Sequence, residues 1–182
     1  MEIYDALLNR RSIRAYYDKP VEKEKLDMIL KAGAYAPSAL NNQKRQFIAI
    51  TDKNVLATLN KAVEEAVDES TVARIKARSD KGEFNFFYNA PVLIVTACDE
   101  KEIRPAEDCA CSLENMFLCA YGLGLGSCWI NQLTSICDRE PIASVLKSLG
   151  MKDGYRVYGC AAIGYGVEGQ LLRPKTNEII II

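Results

Sequence analysis

Residues 91–98 read Pro-Val-Leu-Ile-Val-Thr-Ala-Cys, a nearly continuous apolar run of strand length. A strand with one face in water alternates apolar and polar side chains, whereas a run like this is expected for a strand covered on both faces. The chain of 182 residues has the material for such a core, because a domain of this size buries about 70% of the surface its unfolded chain exposes. One domain over residues 1–182 is the expectation.

The rest of the chain supplies covering elements. Ile3, Leu7 and Leu8 form an apolar stripe on a short helix that ends at Arg10. Leu26, Ile29, Leu30 and Gly33 stand at i, i+3, i+4 and i+7 on a second helix, which starts after Pro20-Val21 and stops before Pro37, since a residue preceding proline is disfavoured in helical geometry. Residues 47–51 read as a strand. Val55, Leu56, Leu59, Ala62, Val63, Ala66 and Val67 mark a long amphipathic helix after it. Residues 70–83 are polar with little periodicity and predict a mobile segment, and the aromatic residues Phe84, Phe86, Phe87 and Tyr88 could form a lid, although such a cluster is more often core. Cys109, Leu113, Met116, Phe117 and Ala120 predict a buried helix with Gly122 as its stop. A short extended piece follows at residues 127–130. Asp138 can cap a further helix with Pro141 in its first turn, and residues 156–163 read as the last internal strand. Residues 179–182 are all isoleucine. Burying each is worth roughly 1.5–3 kcal/mol, so this tail should add to a sheet in its own subunit or a partner's.

Composition removes whole classes of chemistry. The chain contains no histidine, which excludes Ser-His-Asp, Cys-His and HExxH mechanisms. Seven cysteines, odd in number and without framework spacing, fit reduced thiols in a cytoplasmic protein better than a disulfide scaffold. Cys109 and Cys111 fall on different sides of a helix, and no C-x-x-C occurs, so no metal site is expected. A net charge of −1 argues against nucleic acid as a partner. The acidic start Met1-Glu2-Ile3-Tyr4-Asp5 lacks the pattern of a signal peptide. The uncharged stretch from Asn115 to Cys137 is interrupted by three glycines and several polar residues, which reads as a buried helix, turn and strand and leaves no expected membrane partner.

Three short segments remain as candidates. Arg10-Arg11-Ser12-Ile13-Arg14 places three cations and a hydroxyl within five residues; it is either a solvated basic turn or, with Arg173 and Lys175 from the far end, a cradle for a phosphate monoester. Pro37-Ser38-Ala39-Leu40-Asn41-Asn42-Gln43 is a polar loop. Gly164-Tyr165-Gly166-Val167-Glu168-Gly169 matches G-x-G-x-x-G, but only 13 residues follow it, too few for the remainder of a dinucleotide-binding unit; it is read as a turn.

Taken in order, six segments resemble the nitroreductase family of flavin enzymes over nearly the whole chain. They are R-R-S-x-R at Arg10 to Arg14, P-S-x-x-N-x-Q at Pro37 to Gln43, Ala90-Pro91-Val92 opening a strand, Asp108 with Glu114-Asn115 on a helix, L-G-L-G-S-C-W ending at Trp129, and the basic pair Arg173 and Lys175. The resemblance implies an α+β three-layer sandwich, a mostly antiparallel central sheet flanked by helices, in an intertwined homodimer with FMN at the interface. It implies an FMN oxidoreductase that uses NADH or NADPH to reduce a small-molecule acceptor such as a nitroaromatic or a quinone. A same-fold flavoenzyme for dehalogenation or desaturation, and a flavin-binding protein without enzymatic activity, are the alternatives.

By the same resemblance Arg10, Ser12, Arg173 and Lys175 hold the FMN phosphate with Arg11 assisting. Arg14 lies at the flavin N1–O2 edge, where a fixed guanidinium favours negative charge. Asn41 and Gln43 hydrogen-bond the pyrimidine ring or ribityl chain. Pro37, Ser38 and Ala39 pack on the flavin, often from the other subunit. Trp129, Asn131 and Gln132 lie over the central ring near N5. No side chain is assigned a covalent catalytic role. Two departures stand out: Lys44-Arg45 replaces a common Pro-Trp pair, which bears on substrate contacts, and Asn131-Gln132 replaces a glycine-containing step beside N5.

Overall fold

The computed structural model describes residues 3–79, 82–167 and 175–182. Its helices are α1 (Ile3–Asn9), α2 (Lys23–Ala34), α3 (Lys53–Ala66), α4 (Glu69–Lys76), α5 (Pro105–Gly122) and α6 (Ile142–Ser148); its strands are β1 (Arg45–Ile50), β2 (Val92–Asp99), β3 (Gly126–Ile130) and β4 (Tyr155–Gly164). The strands form one antiparallel sheet in the order β1-β2-β4-β3. The apolar run that opened the sequence argument is β2, one of the two central strands. Val92 and Ile94 join Ile29, Leu113, Met116 and Phe117 of α2 and α5 on one face. Leu93 and Val95 join Leu56, Leu59, Ile75, Ile142 and Leu146 of α3, α4 and α6 on the other. The chain is therefore an α+β sandwich of three layers. No helix among the described residues is long and apolar enough to cross a membrane, and no cluster of His, Cys, Asp or Glu among them could hold a metal ion.

Helix α5 packs along α2, and the contact is close because Gly33 faces Met116. A Cβ at Gly33 would stand 2.1 Å from Met116 Cε, and Met116 is fully buried.

Four expectations change. Residues 69–76 form helix α4 instead of an irregular segment. Asp68 caps it, accepting from the Thr71 amide at 2.9 Å and from the Ser70 and Thr71 hydroxyls, and Ile75 anchors it in the core. Phe84, Phe86 and Phe87 are buried, so the aromatic cluster is core and forms no lid. Helix α6 starts at Ile142, beyond Asp138, whose carboxylate instead receives Arg156 Nη1 at 3.1 Å. The glycine that reverses the chain after α5 is Gly124, in the left-handed region at φ +74°; Gly122 is still helical.

Two apolar features stay uncovered in the single chain. Ile3, Leu7 and Leu8 of α1 are 69%, 54% and 54% exposed, and α1 buries Ala6 instead. Ile179 to Ile182 are exposed and join no strand, so the expectation that the tail pairs within its own subunit is not met.

Replacing Gly33 by alanine should destabilise the protein by about 1–3 kcal/mol, because overpacking against Met116 outweighs the roughly 1 kcal/mol gained in helix propensity. In a Met116→Ala background the same change should be neutral or stabilising. A double-mutant cycle by urea unfolding checks this; additive effects at the two positions would contradict the contact.

Candidate functional site

Helix α5 carries three distinct faces, and two of them hold the candidate segments. Residues four and seven apart share a face, whereas six residues turn the helix by about 240° and raise it by about 9 Å. On the first face, Asp108 accepts from the Ala39 amide at 2.9 Å, Ser112 Oγ receives Arg45 Nη1 at 2.8 Å, and Asn115 Nδ2 donates to the Ala32 carbonyl at 3.1 Å. That face grips α2 and the loop at residues 37–43. On the second, Glu114 faces Arg10 Nε at 3.5 Å and Phe117 lies 5.8 Å from the Arg10 guanidinium. That face grips the basic cluster. The third face, with Cys109, Leu113 and Met116, enters the core.

The loop at residues 37–43 is fixed in an unusual backbone path. Leu40, Asn41 and Gln43 all have positive φ, at 51°, 56° and 54°, a region that side chains disfavour. Ser38 Oγ accepts from the Gln43 amide at 3.1 Å and Gln43 Nε2 donates to Asn41 Oδ1 at 3.0 Å. Pro37, Asn41 and Gln43 are exposed; Ser38 and Ala39 are half-buried. Sequence reasoning singled out Lys44-Arg45 as a departure but missed what Arg45 does. Its guanidinium donates to the carbonyls of Ala36 (2.9 Å) and Pro37 (3.1 Å) as well as to Ser112, so it clamps the loop to α5 from beneath.

The basic cluster lies against the edge of β3. Ser12 and Ser127 form a parallel bridge, the Ile13 amide donates to the Ser127 carbonyl at 2.8 Å, and the Val167 amide donates to the Ala15 carbonyl at 3.0 Å. Glycine is required where this segment crosses: a Cβ at Gly126 or Gly166 would come within 2.8 Å of the Ile13 side chain. Arg10, Arg11 and Ser12 are half-buried there and Arg14 is exposed. Arg11 is partly committed to α1, donating to the Leu8 and Arg10 carbonyls at 2.6 and 2.8 Å. Trp129 is at the solvent boundary, with its indole N–H on Asn131 Oδ1; Asn131 is exposed and Gln132 half-buried. Thus Arg10, Arg11, Ser12 and Arg14 come together beside the strand that carries Trp129. Lys175 is exposed in the terminal segment, and Arg173 lies outside the described residues. The loop residues Pro37, Ser38, Ala39, Asn41 and Gln43 are held on a different face of α5.

Three polar atoms in this region are buried without a hydrogen-bond partner: Arg10 Nε, Arg11 Nε and Gln132 Oε1. Two guanidinium Nε donors without a hydrogen-bond partner, followed directly by the Ser12 hydroxyl, suit the oxygens of a phosphate monoester, and the Gln132 amide acceptor without one, three residues after Trp129, suits a planar, hydrogen-bonding ring system. The residues present fit FMN.

Burial also sets the acidities around Arg14. It raises the Cys128 thiol, an effect that Arg14, a hydrogen bond with Ser12, and Arg10 reduce. It raises the Tyr16 phenol far more, whose hydroxyl is shared between the Ile13 and Ala162 carbonyls at 2.7 and 3.2 Å. Cys109 and Cys160 are likewise raised by burial, as expected for inert packing thiols. All seven cysteines are free.

The model of the Nitroreductase family matches residues 7–165. The chain belongs to that family. A protein of Archaeoglobus fulgidus, provisionally named as an NADH dehydrogenase/NAD(P)H nitroreductase, is 30% identical over 173 residues, covering 90% of this chain and 85% of that protein. The crystal structure of a nitroreductase with bound FMN from Bacteroides fragilis superposes with a TM-score of 0.87 at 38% identity, covering 100% of this chain and 99% of the other. A nitroreductase with bound FMN from Desulfitobacterium hafniense shares the fold, with a TM-score of 0.87 at 23% identity over 100% and 99% of the two chains.

Arg45→Ala should lower unfolding free energy by about 1.5–3 kcal/mol, the scale of lost hydrogen bonds to a charged donor. Arg45→Lys should recover less than half, since one ammonium cannot span acceptors that a planar fork reaches. Urea titrations check both, and a wild-type midpoint for Arg45→Ala would contradict the clamp. Alkaline pH offers a separate test. A phenol whose folded pKa is raised contributes stability in full below its ordinary value near 10 and loses it as pH rises further, because only the unfolded chain then releases the proton. The unfolding free energy should fall above pH 10 with a slope steeper in the wild type than in Tyr16→Phe by up to about 1.4 kcal/mol per pH unit.

Proposed function

We propose that this protein is a homodimeric, FMN-dependent oxidoreductase that oxidises NADH or NADPH and reduces small organic acceptors of the nitroaromatic or quinone kind. The observation that carries the reading is the pair of buried Arg10 and Arg11 Nε donors, without a hydrogen-bond partner, immediately before the Ser12 bridge to β3. FMN held there would supply the hydride and electron transfer. The chain supplies position and charge. Arg10 and Ser12 hold the phosphate, with Arg11 assisting and Arg173 and Lys175 closing over it from the far end of the chain. Glu114 beside Arg10 offsets part of the local positive charge, so the terminal cations are needed for full affinity. Arg14 sits at the pyrimidine edge and favours negative charge there. Trp129, Asn131 and Gln132 line the central ring.

The loop with Pro37, Ser38, Ala39, Asn41 and Gln43 faces away from its own basic cluster and serves the flavin of the second subunit. That arrangement gives the exposed α1 stripe and the four terminal isoleucines a partner surface to cover. Free thiols throughout fit a reducing, cytoplasmic setting.

Purified protein should be yellow and should bleach with NADH or NADPH under anaerobic conditions. Arg14→Ala should keep some FMN but be reduced more slowly, whereas the double variant Arg10→Ala/Lys175→Ala should be colourless. Flavin content by absorbance and stopped-flow reduction separate the two; equal FMN occupancy in both would overturn the assignment. Deleting residues 178–182 should weaken the dimer in sedimentation or scattering measurements, and an unchanged association constant would remove the tail from the interface. Slow or absent bleaching with either nicotinamide, in protein that binds FMN, would favour other flavin chemistry or a carrier.

A further inference from the structure

Strand β3 ends at Ile130, and the next two residues both carry amide side chains. Their situations differ. Asn131 is used inside the protein: its side-chain oxygen takes the Trp129 indole N–H, and its carbonyl takes the Thr134 amide at 3.0 Å and the Thr134 hydroxyl at 2.7 Å. These contacts close a turn over residues 131–134 and tie it to the indole. Gln132 lies within that turn, half-buried, and its Oε1 is buried without a hydrogen-bond partner. Leaving a buried amide oxygen unpaired opposes folding, so a native structure that keeps one calls for a reason.

Its place along β3 limits what can answer it. The basic cluster bridges to β3 at Ser127, near the start of the strand, whereas Gln132 follows the far end. The two are separated by a stretch of extended chain, which rises about 3.3 Å for each residue. A ligand whose phosphate is held at Ser12 and whose body lies along β3 past Trp129 meets Gln132 with its ring. An amide oxygen can only accept. Oxidised flavin offers acceptors around most of its polar edge and a single ring N–H, at N3, whereas the reduced ring carries a further N–H at N5.

We infer that Gln132 discriminates between the oxidation states of the flavin: its Oε1 finds a donor only on the reduced ring, so Gln132 binds the reduced form more tightly and raises the midpoint potential of the pair. The inference rests on the flavoenzyme reading. It gives the two neighbouring amides separate tasks, with Asn131 positioning Trp129 and Gln132 facing the ligand. Gln132 neither gives nor takes a proton in this role; it accepts a hydrogen bond in one state of the ligand and lacks one in the other.

The test compares the wild type with Gln132→Met, which keeps the length of the side chain and removes the acceptor, and with Gln132→Leu, which removes it in a different shape. Trp129 is the single tryptophan of the chain, so its fluorescence follows FMN binding to flavin-free protein without any turnover. Both variants should weaken the binding of reduced FMN about tenfold more than that of oxidised FMN, the scale of one hydrogen bond. By linkage the midpoint potential of the bound flavin, read by equilibration with a redox dye, should fall by about 30 mV, which is tenfold for a two-electron couple. Equal losses of affinity for the two oxidation states overturn the inference, because a partner present in both states, such as the ring N3–H or a ribityl hydroxyl, would produce them. A potential that stays at the wild-type value or rises overturns it as well. Wild-type protein that stays colourless with added FMN removes the flavoenzyme reading and this inference together, whereas protein that takes up FMN and keeps its potential in both variants removes only the role of Gln132.

Discussion

The buried carboxylate of Asp108 on the Ala39 amide is the contact on which the rest of the architecture turns. Asp108 is only 5% exposed, and a carboxylate taken that far from water must be answered by donors. Ala39 answers it from the loop, and Arg45 beneath the loop ties the carbonyls of Ala36 and Pro37 to Ser112 one turn further along α5. Three residues of that loop in the left-handed region could not persist on local preference alone. Helix α5 thereby acts as a ruler: its first face sets the loop, its second sets the basic cluster through Glu114 and Phe117, and its third locks both to the sheet.

The other half of the candidate site depends on backbone proximity instead of charge. The segment after α1 can lie along β3 and reach residues 165–167 only because Gly126 and Gly166 leave room for Ile13. That crossing carries Arg10, Ser12 and Arg14 past the strand bearing Trp129, so the cluster is placed by the main-chain hydrogen bonds of Ile13 and Ala15 together with Glu114 beside Arg10. In this arrangement the Arg10 and Arg11 Nε atoms are buried without a hydrogen-bond partner, while Arg11 Nη1 is given to the Leu8 and Arg10 carbonyls.

Much of this is legible in the sequence because the signals are local. The doubly covered strand, the stripes of α3 and α5 and the order of the family motifs need no knowledge of distant partners. What escapes is what depends on one residue or on convergence. Helix α4 hides in a polar segment because its signature is a single cap, Asp68, with Val72 and Ile75 as its apolar anchors. Asp138 looks like a helix cap but is drawn to Arg156, far along the chain. Arg45 stands out in the sequence only as part of a departure that bears on substrate contacts, and only the meeting of carbonyls from residues 36 and 37 with Ser112 gives it its structural role. The α1 stripe is correct as a helix yet misleading as core, because periodicity says that a face is apolar without saying which surface covers it.

That last distinction bears on how the site is completed. The loop gripped by Asp108 and the cluster gripped by Glu114 are held by positions about 240° apart around α5 and about 9 Å apart along it, which is why we assign them to the flavins of different subunits. A second copy related by a two-fold axis offers the missing face without distorting either segment. The uncovered residues Ile3, Leu7 and Leu8 and the isoleucine tail then cease to be anomalies, since the apolar surface they expose is the surface such a pairing would bury. On the proposed homodimeric reading, completing the flavin site and covering the apolar surface would be met by one event, and the affinity for flavin should then depend on protein concentration wherever the dimer begins to dissociate.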